Sequence, residues 1–89
     1  MRAVVSVVGK DRVGILSGVS SACAEAHMNI TDVTQSILQD MFVMIMLVES
    51  TENSIPLSQF SSQLSQLGQT MNLNIHVMHE DIFNTMHRI

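Results

Sequence analysis

Basic residues are scarce in this chain. Its 89 residues include four Lys and Arg against eight Asp and Glu, for a net charge of −4. The cations are scattered at Arg2, Lys10, Arg12 and Arg88. A nucleic-acid surface needs a basic face to offset phosphate charge, so direct contact with DNA or RNA is not expected. Electrostatic attachment to an anionic membrane is disfavoured for the same reason. A single cysteine, Cys23, permits no intrachain disulfide and excludes a secreted disulfide scaffold. Trp and Tyr are absent, and Phe occurs three times. Long apolar runs are missing too. The longest, Met41 to Val48, is far short of the ~20 residues that span a bilayer. Lys10 and Asp11 end the opening apolar run too early for a signal peptide, so a soluble cytoplasmic protein is expected.

What is present is aliphatic. Hydrophobic residues make up 46% of the chain, and eight of them are Met. A single small domain of this length buries only ~60% of its unfolded surface, so burial against a partner adds to its stability.

The stretch Val7 to Ile15 organises the rest. An apolar run stops at Gly9, and Lys10, Asp11 and Arg12 follow. Gly14 then precedes Ile15 and Leu16. This is a strand ending, a tight polar loop and a helix beginning. Free backbone N–H groups at such a helix start favour an anionic group. The structural alternative is that Asp11 caps the helix. The loop is neither a Walker A motif nor a dinucleotide fingerprint, because it lacks G-K-[S/T] and G-x-G-x-x-G.

Arg2 to Val8 alternates with both sides largely apolar, which predicts an interior strand. Ile15, Val19, Ala22, Cys23 and Ala26 step by threes and fours, which predicts a helix over 14–26. Gly18 inside it points to a close neighbour, and Cys23 reads as a small buried hydrophobe. His27 stands where the helix stops. Asn29 to Leu38 alternates imperfectly, as an edge strand with a bulge does. Gln39 and Asp40 make a turn, and Phe42 to Val48 is apolar throughout, as in a strand buried on both faces. Met44 and Met46 share a face and read as core filling rather than a metal site. Pro56 marks a second helix with the stripe Leu57, Phe60, Leu64, Leu67 and Met71. Asn74 to His79 is a last strand, and Glu80 to Ile89 has Ile82, Phe83, Met86 and Ile89 on one helical face. So short a helix must dock on its own sheet or across a dimer.

The order βαββαβ predicts an α+β, ferredoxin-like sandwich: four antiparallel strands with both helices on one face. One sheet face then carries no helices, and Val4 and Val8 on it need a cover. A second subunit is the simplest candidate.

Neither an enzyme nor a cofactor protein is expected. His76, His79, His87, Glu80 and Asp81 cluster near the end, but His76 and His79 point to opposite faces of a strand, so no metal site is expected. No nucleophile motif or H-E-x-x-H is present.

V-V-G-K-D-R-V-G-I, a helix, and Asn29-Ile30 opening the next strand together resemble the ACT domain. The resemblance covers about 2–79. It is strongest to the ACT modules of formyltetrahydrofolate deformylase, the uridylyltransferase of nitrogen control and the glycine cleavage system transcriptional repressor. The ending H-E-D-I-F-N-T-M-H-R-I resembles a group of small stand-alone ACT proteins. The resemblance implies an ACT domain over 1–79 and a docking tail over 80–89. It also implies a regulatory module that binds an amino acid or other small metabolite at a homodimer interface and signals to a partner protein. The ligand positions it implies are Asp11, Arg12, Val13, Gly14 and Ile15 in the loop, with Asn29 and Ile30 opening the second strand. Asp11 would receive an α-ammonium, the N–H groups from Val13 to Ile15 an α-carboxylate, and the Asn29 amide either. The chain departs from relatives that carry His and Asn at Gly9 and Asp11, Pro at Val13, and Gly at His27. The alternative function is a ligand-free association module.

Overall fold

The structure, a computed structural model, describes residues 1–86. Its elements are β1 (Arg2–Lys10), α1 (Ile15–Glu25), β2 (Met28–Leu38), β3 (Met41–Ser50), α2 (Leu57–Met71), β4 (Leu73–His79) and α3 (Glu80–Met86). The sheet is antiparallel with strand order β2-β3-β1-β4. The two strands that read apolar on both sides, β1 and β3, are therefore central, and the ferredoxin-like arrangement is as expected.

Local chemistry sets the element boundaries. Gly14, at φ 92°, turns the chain into α1, and His27, at φ 59°, turns it out. An L-residue in the left-handed region costs roughly 1–2 kcal/mol. That strain is offset where Thr51 and Ser54 both donate hydroxyl hydrogen bonds to the His27 carbonyl, at 3.1 and 2.5 Å. Pro56 precedes α2, and Asn72 at φ 58° ends it.

The helices bury one face of the sheet. Val5, Val7, Met44, Met46 and Val48 from the sheet meet Ile15, Val19 and Cys23 of α1 and Phe60 and Leu64 of α2. Each large aliphatic or aromatic side chain buried here contributes roughly 1.5–3 kcal/mol. Met44 and Met46 are fully buried, as core filling requires.

The other face departs from expectation. β3 is apolar at every position from Met41 to Val48 but is buried on the helix side only, and Ile45 is 42% exposed. The reason is coverage. α3 packs on its own sheet against β1 and β4 and shelters one end, where Val4 is 5% exposed. Arg2 fixes it there with a two-pronged ion pair to Glu80, Nη2 to Oε1 at 3.1 Å and Nε to Oε2 at 2.5 Å. Phe83 lines a cavity of about 270 Å³ together with Val4 and Leu47, while Ile82 is left 56% exposed. His87, Arg88 and Ile89 lie outside the described residues.

Candidate functional site

The β1–α1 loop is open, and its helix start is uncapped. No side chain caps α1, so Asp11 does not have the capping role that was the structural alternative. The first N–H groups of a helix have no partner inside it. Asp11, Arg12, Val13 and Gly14 are exposed, whereas the Ile15 side chain is buried in the core and offers only its backbone. The loop is held at two points. The Asp11 amide donates to the Asp40 carbonyl at 2.8 Å, tying the loop to the β2–β3 turn. The Arg12 guanidinium donates to the Met71 carbonyl at 2.9 Å. There it complements the negative end of α2. A cleft of about 140 Å³ runs between Lys10, Asp11, Arg12, Met71 and Asn72.

The two parts of the expected site do not meet within one chain. Asn29 lies opposite Glu49, which lies opposite Arg2 at the start of β1. The loop begins at the other end, after Lys10. The nine residues of β1 span about 26 Å at ~3.3 Å per residue. Asn29 is exposed, and Ile30 is half-buried against the core.

Between these two points runs the free edge of β2. Every residue from Thr31 to Leu38 is exposed. The expected bulge falls between Ile30 and Asp32, where the Thr31 hydroxyl donates to the Leu47 carbonyl at 3.0 Å. Val33 and Ile37 are opposite Met46 and Phe42, so they point to the helix side, yet Ile37 is 58% exposed because the helices stop short of this edge. Val13 in the loop is 98% exposed. Val33 and Ile37 are apolar positions on a strand whose imperfect alternation already marks it as an edge, whereas nothing in the sequence marked Val13 as apolar and exposed.

Cys23 is fully buried, and burial pushes its thiol up to about 11, which suits a core residue and not a nucleophile. Among the described residues, no group of three or more His, Cys, Asp or Glu could hold a metal ion, and no helix is long and apolar enough to cross a membrane.

Comparison with known proteins places this geometry. The family model for the ACT domain matches residues 2–78. The UPF0237 protein YjhC of Lactococcus lactis is 46% identical over 89 residues, covering all of both chains. A UPF0237 protein of Methanopyrus kandleri is 41% identical over 88 residues, 99% of this chain and 98% of its own. Among solved structures, an ACT domain protein from Streptococcus pneumoniae superposes with a TM-score of 0.82 at 36% identity, covering 93% of each chain. A structure described as a glycine cleavage system transcriptional repressor gives 0.77 at 25% identity, over 89% of this chain and 47% of that one. Model, relatives and structures agree over nearly the whole length, and the chain belongs to the ACT domain family.

Proposed function

We propose that this protein is a cytoplasmic, small-molecule-sensing regulator that binds an amino acid at a homodimer interface and signals to a partner protein. Residues 1–79 form the sensing domain and 80–89 a tail that docks on it. The observation that carries this reading is the separation of Asp11 and Asn29 at opposite ends of one sheet, with an unpaired strand edge between them.

Antiparallel pairing of two β2 edges about Gln35 sets Val33 opposite Ile37 of the partner subunit. It keeps each Asp32 away from its copy, so the pairing joins apolar to apolar without like-charge contact. The same register brings Asn29 of the partner subunit level with the β2–β3 turn, to which the Asp11 loop is tied. Each site is then shared. Asp11 receives the α-ammonium, the N–H groups from Val13 to Ile15 receive the α-carboxylate, and the partner's Asn29 closes the site. A ligand in that seam stabilises the paired state by its differential affinity for it, and this shift is the signal that a partner protein reads.

The test is a thermal-shift and calorimetric screen of the amino acids. A ligand at a hundred times its dissociation constant adds about 2.7 kcal/mol, and each kcal/mol raises the midpoint of so small a domain by roughly 4–8 °C. Asp11→Ala and Asn29→Ala each lose the shift. Mixed and re-annealed, the two variants regain about a quarter of the wild-type sites, since half of the dimers are mixed and each of those keeps one intact site. A ligand that binds the mixture no better than either variant means that the site is not shared. No ligand at all, with the dimer intact, favours the ligand-free association module.

A further inference from the structure

The β1–α1 loop carries a charge pattern that specifies its ligand. We infer that the amino acid bound there is an acidic one, aspartate or glutamate, and that Lys10 and Arg12 receive its side-chain carboxylate. This inference rests on the ligand site proposed above.

Three consecutive exposed side chains, Lys10, Asp11 and Arg12, line the cleft beside the end of α2. The ion pairs among the described residues are Arg2 with Glu80 and His79 with Asp81. Neither involves this loop. Among the described Lys and Arg residues, Lys10 and Arg12 are therefore the two without an acidic partner, and one cleft holds both. Asp11 has no ion pair either, although it stands between them in the sequence. Asp40, on the turn to which the loop is tied, meets Asp11 through its backbone carbonyl, and no ion pair joins its carboxylate to the loop. Arg12 gives Nη1 to the Met71 carbonyl, which leaves its other N–H groups for a ligand.

The cleft thus presents two positive charges and one negative charge with no ion-pair partner in the protein. Its complement is a molecule with two negative charges and one positive charge. An acidic amino acid at neutral pH carries this set: an α-ammonium, an α-carboxylate and a side-chain carboxylate. With the α-ammonium on Asp11 and the α-carboxylate at the start of α1, the side-chain carboxylate falls to Lys10 and Arg12, where charge-assisted hydrogen bonds hold it. A neutral amino acid leaves both cations unmatched. A dicarboxylate without an ammonium leaves Asp11 unmatched and repelling. The chain as a whole carries −4, which opposes the approach of an anion, so an anionic ligand needs cations gathered close by. This loop gathers two of the four Lys and Arg within three residues. Size agrees with charge. A cleft of about 140 Å³ is well below the ~300–1,000 Å³ of pockets for drug-sized ligands, which suits an amino acid and is too small for a nucleotide.

Isothermal titration calorimetry of the full chain with aspartate, glutamate, asparagine, glutamine and succinate tests this. The expected result is that one of the acids binds about ten- to a hundred-fold tighter than its own amide, the range of a hydrogen bond to a charged group. Succinate keeps both carboxylates but lacks the ammonium, and binds more weakly than aspartate. Added salt weakens the acid more than the amide. Lys10→Gln narrows the gap between acid and amide several-fold, and Lys10→Arg keeps it open, with circular dichroism to check that both exposed-site variants stay folded. A gap that neither salt nor Lys10→Gln changes overturns the role of the cations. Succinate binding as tightly as aspartate overturns the match of ammonium to Asp11. A neutral amino acid that binds as tightly as the acids, and is lost in Asp11→Ala, overturns the acidic specificity and leaves the sensing site standing. Binding of no amino acid at all overturns both.

Discussion

Gly68→Ala separates what helix chemistry alone predicts from what the packing permits. Gly68 lies inside α2, where replacing Gly by Ala gains about 1 kcal/mol of helix propensity. The structure opposes that gain. A Cβ at this position would sit 2.7 Å from the backbone carbonyl oxygen of Leu73 and 3.2 Å from Cγ1 of Ile75. The carbonyl belongs to β4 and cannot rotate away, so α2 must lift off the strand it packs against. Overpacking of this kind costs typically 1–3 kcal/mol. With a backbone atom at 2.7 Å, the upper part of that range applies, and the net effect is a loss of about 1–2 kcal/mol. The thermal midpoint should fall by about 4–15 °C. Gly18→Ala is the internal control. Its Cβ would meet only the flexible end of Met71, Sδ at 3.1 Å and Cε at 3.3 Å. That side chain can move aside, so the propensity gain should survive in part and the midpoint should hold or rise. Thermal denaturation of the two variants beside the wild type is the assay. A Gly68→Ala midpoint equal to or above the wild type would refute the reasoning.

Two further outcomes follow from single residues. His27→Gly removes a left-handed L-residue at a helix end where glycine is the usual choice, and its backbone hydrogen bonds remain available; the gain is about 0.5–1 kcal/mol after the extra chain entropy of glycine, and a lower melting midpoint would contradict it. Cys23 has a raised pKa in the fold, so the native state holds its proton where the unfolded chain has lost it. Its contribution is fully present below 9.0, the ordinary value of the thiol, and is lost as pH rises toward about 11. The chain has no Tyr and a single Lys, so few other groups titrate in this window. Urea midpoints should therefore fall between pH 9 and 11, by on the order of 2 kcal/mol in stability, and fall much less in Cys23→Ala. Equal slopes in the two proteins would show that another group is responsible.

The candidate site has a consequence for how such a module responds. The loop that would hold a ligand is anchored to the rest of the domain through the Asp40 and Met71 carbonyls. It therefore moves with the β2–β3 turn and the end of α2 rather than independently. In the proposed function, pairing at the β2 edge and ligand binding in the loop are two readouts of one equilibrium.

The sequence by itself determined the element order, the central strands and the buried faces of both helices, because each rests on local periodicity and local backbone chemistry. Ile15, Val19 and Cys23 share a helix face by spacing alone, and Pro56 announces the start of α2. The bulge in β2 was legible for the same reason. Only the tertiary structure decided how the faces were covered. β3 is apolar at every position from Met41 to Val48, yet whether Ile45 meets water depends on where a helix more than thirty residues away comes to rest. Arg12 is among the ligand positions that the resemblance implies, and only the structure shows its guanidinium donating to the Met71 carbonyl. Asp11 and Asn29 belong to one motif and stand at opposite ends of one sheet, because strand register, a long-range property, sets that distance. Spacing along the chain fixes which side chains share a face. Which faces meet is decided by packing between elements that the chain brings together only when it folds.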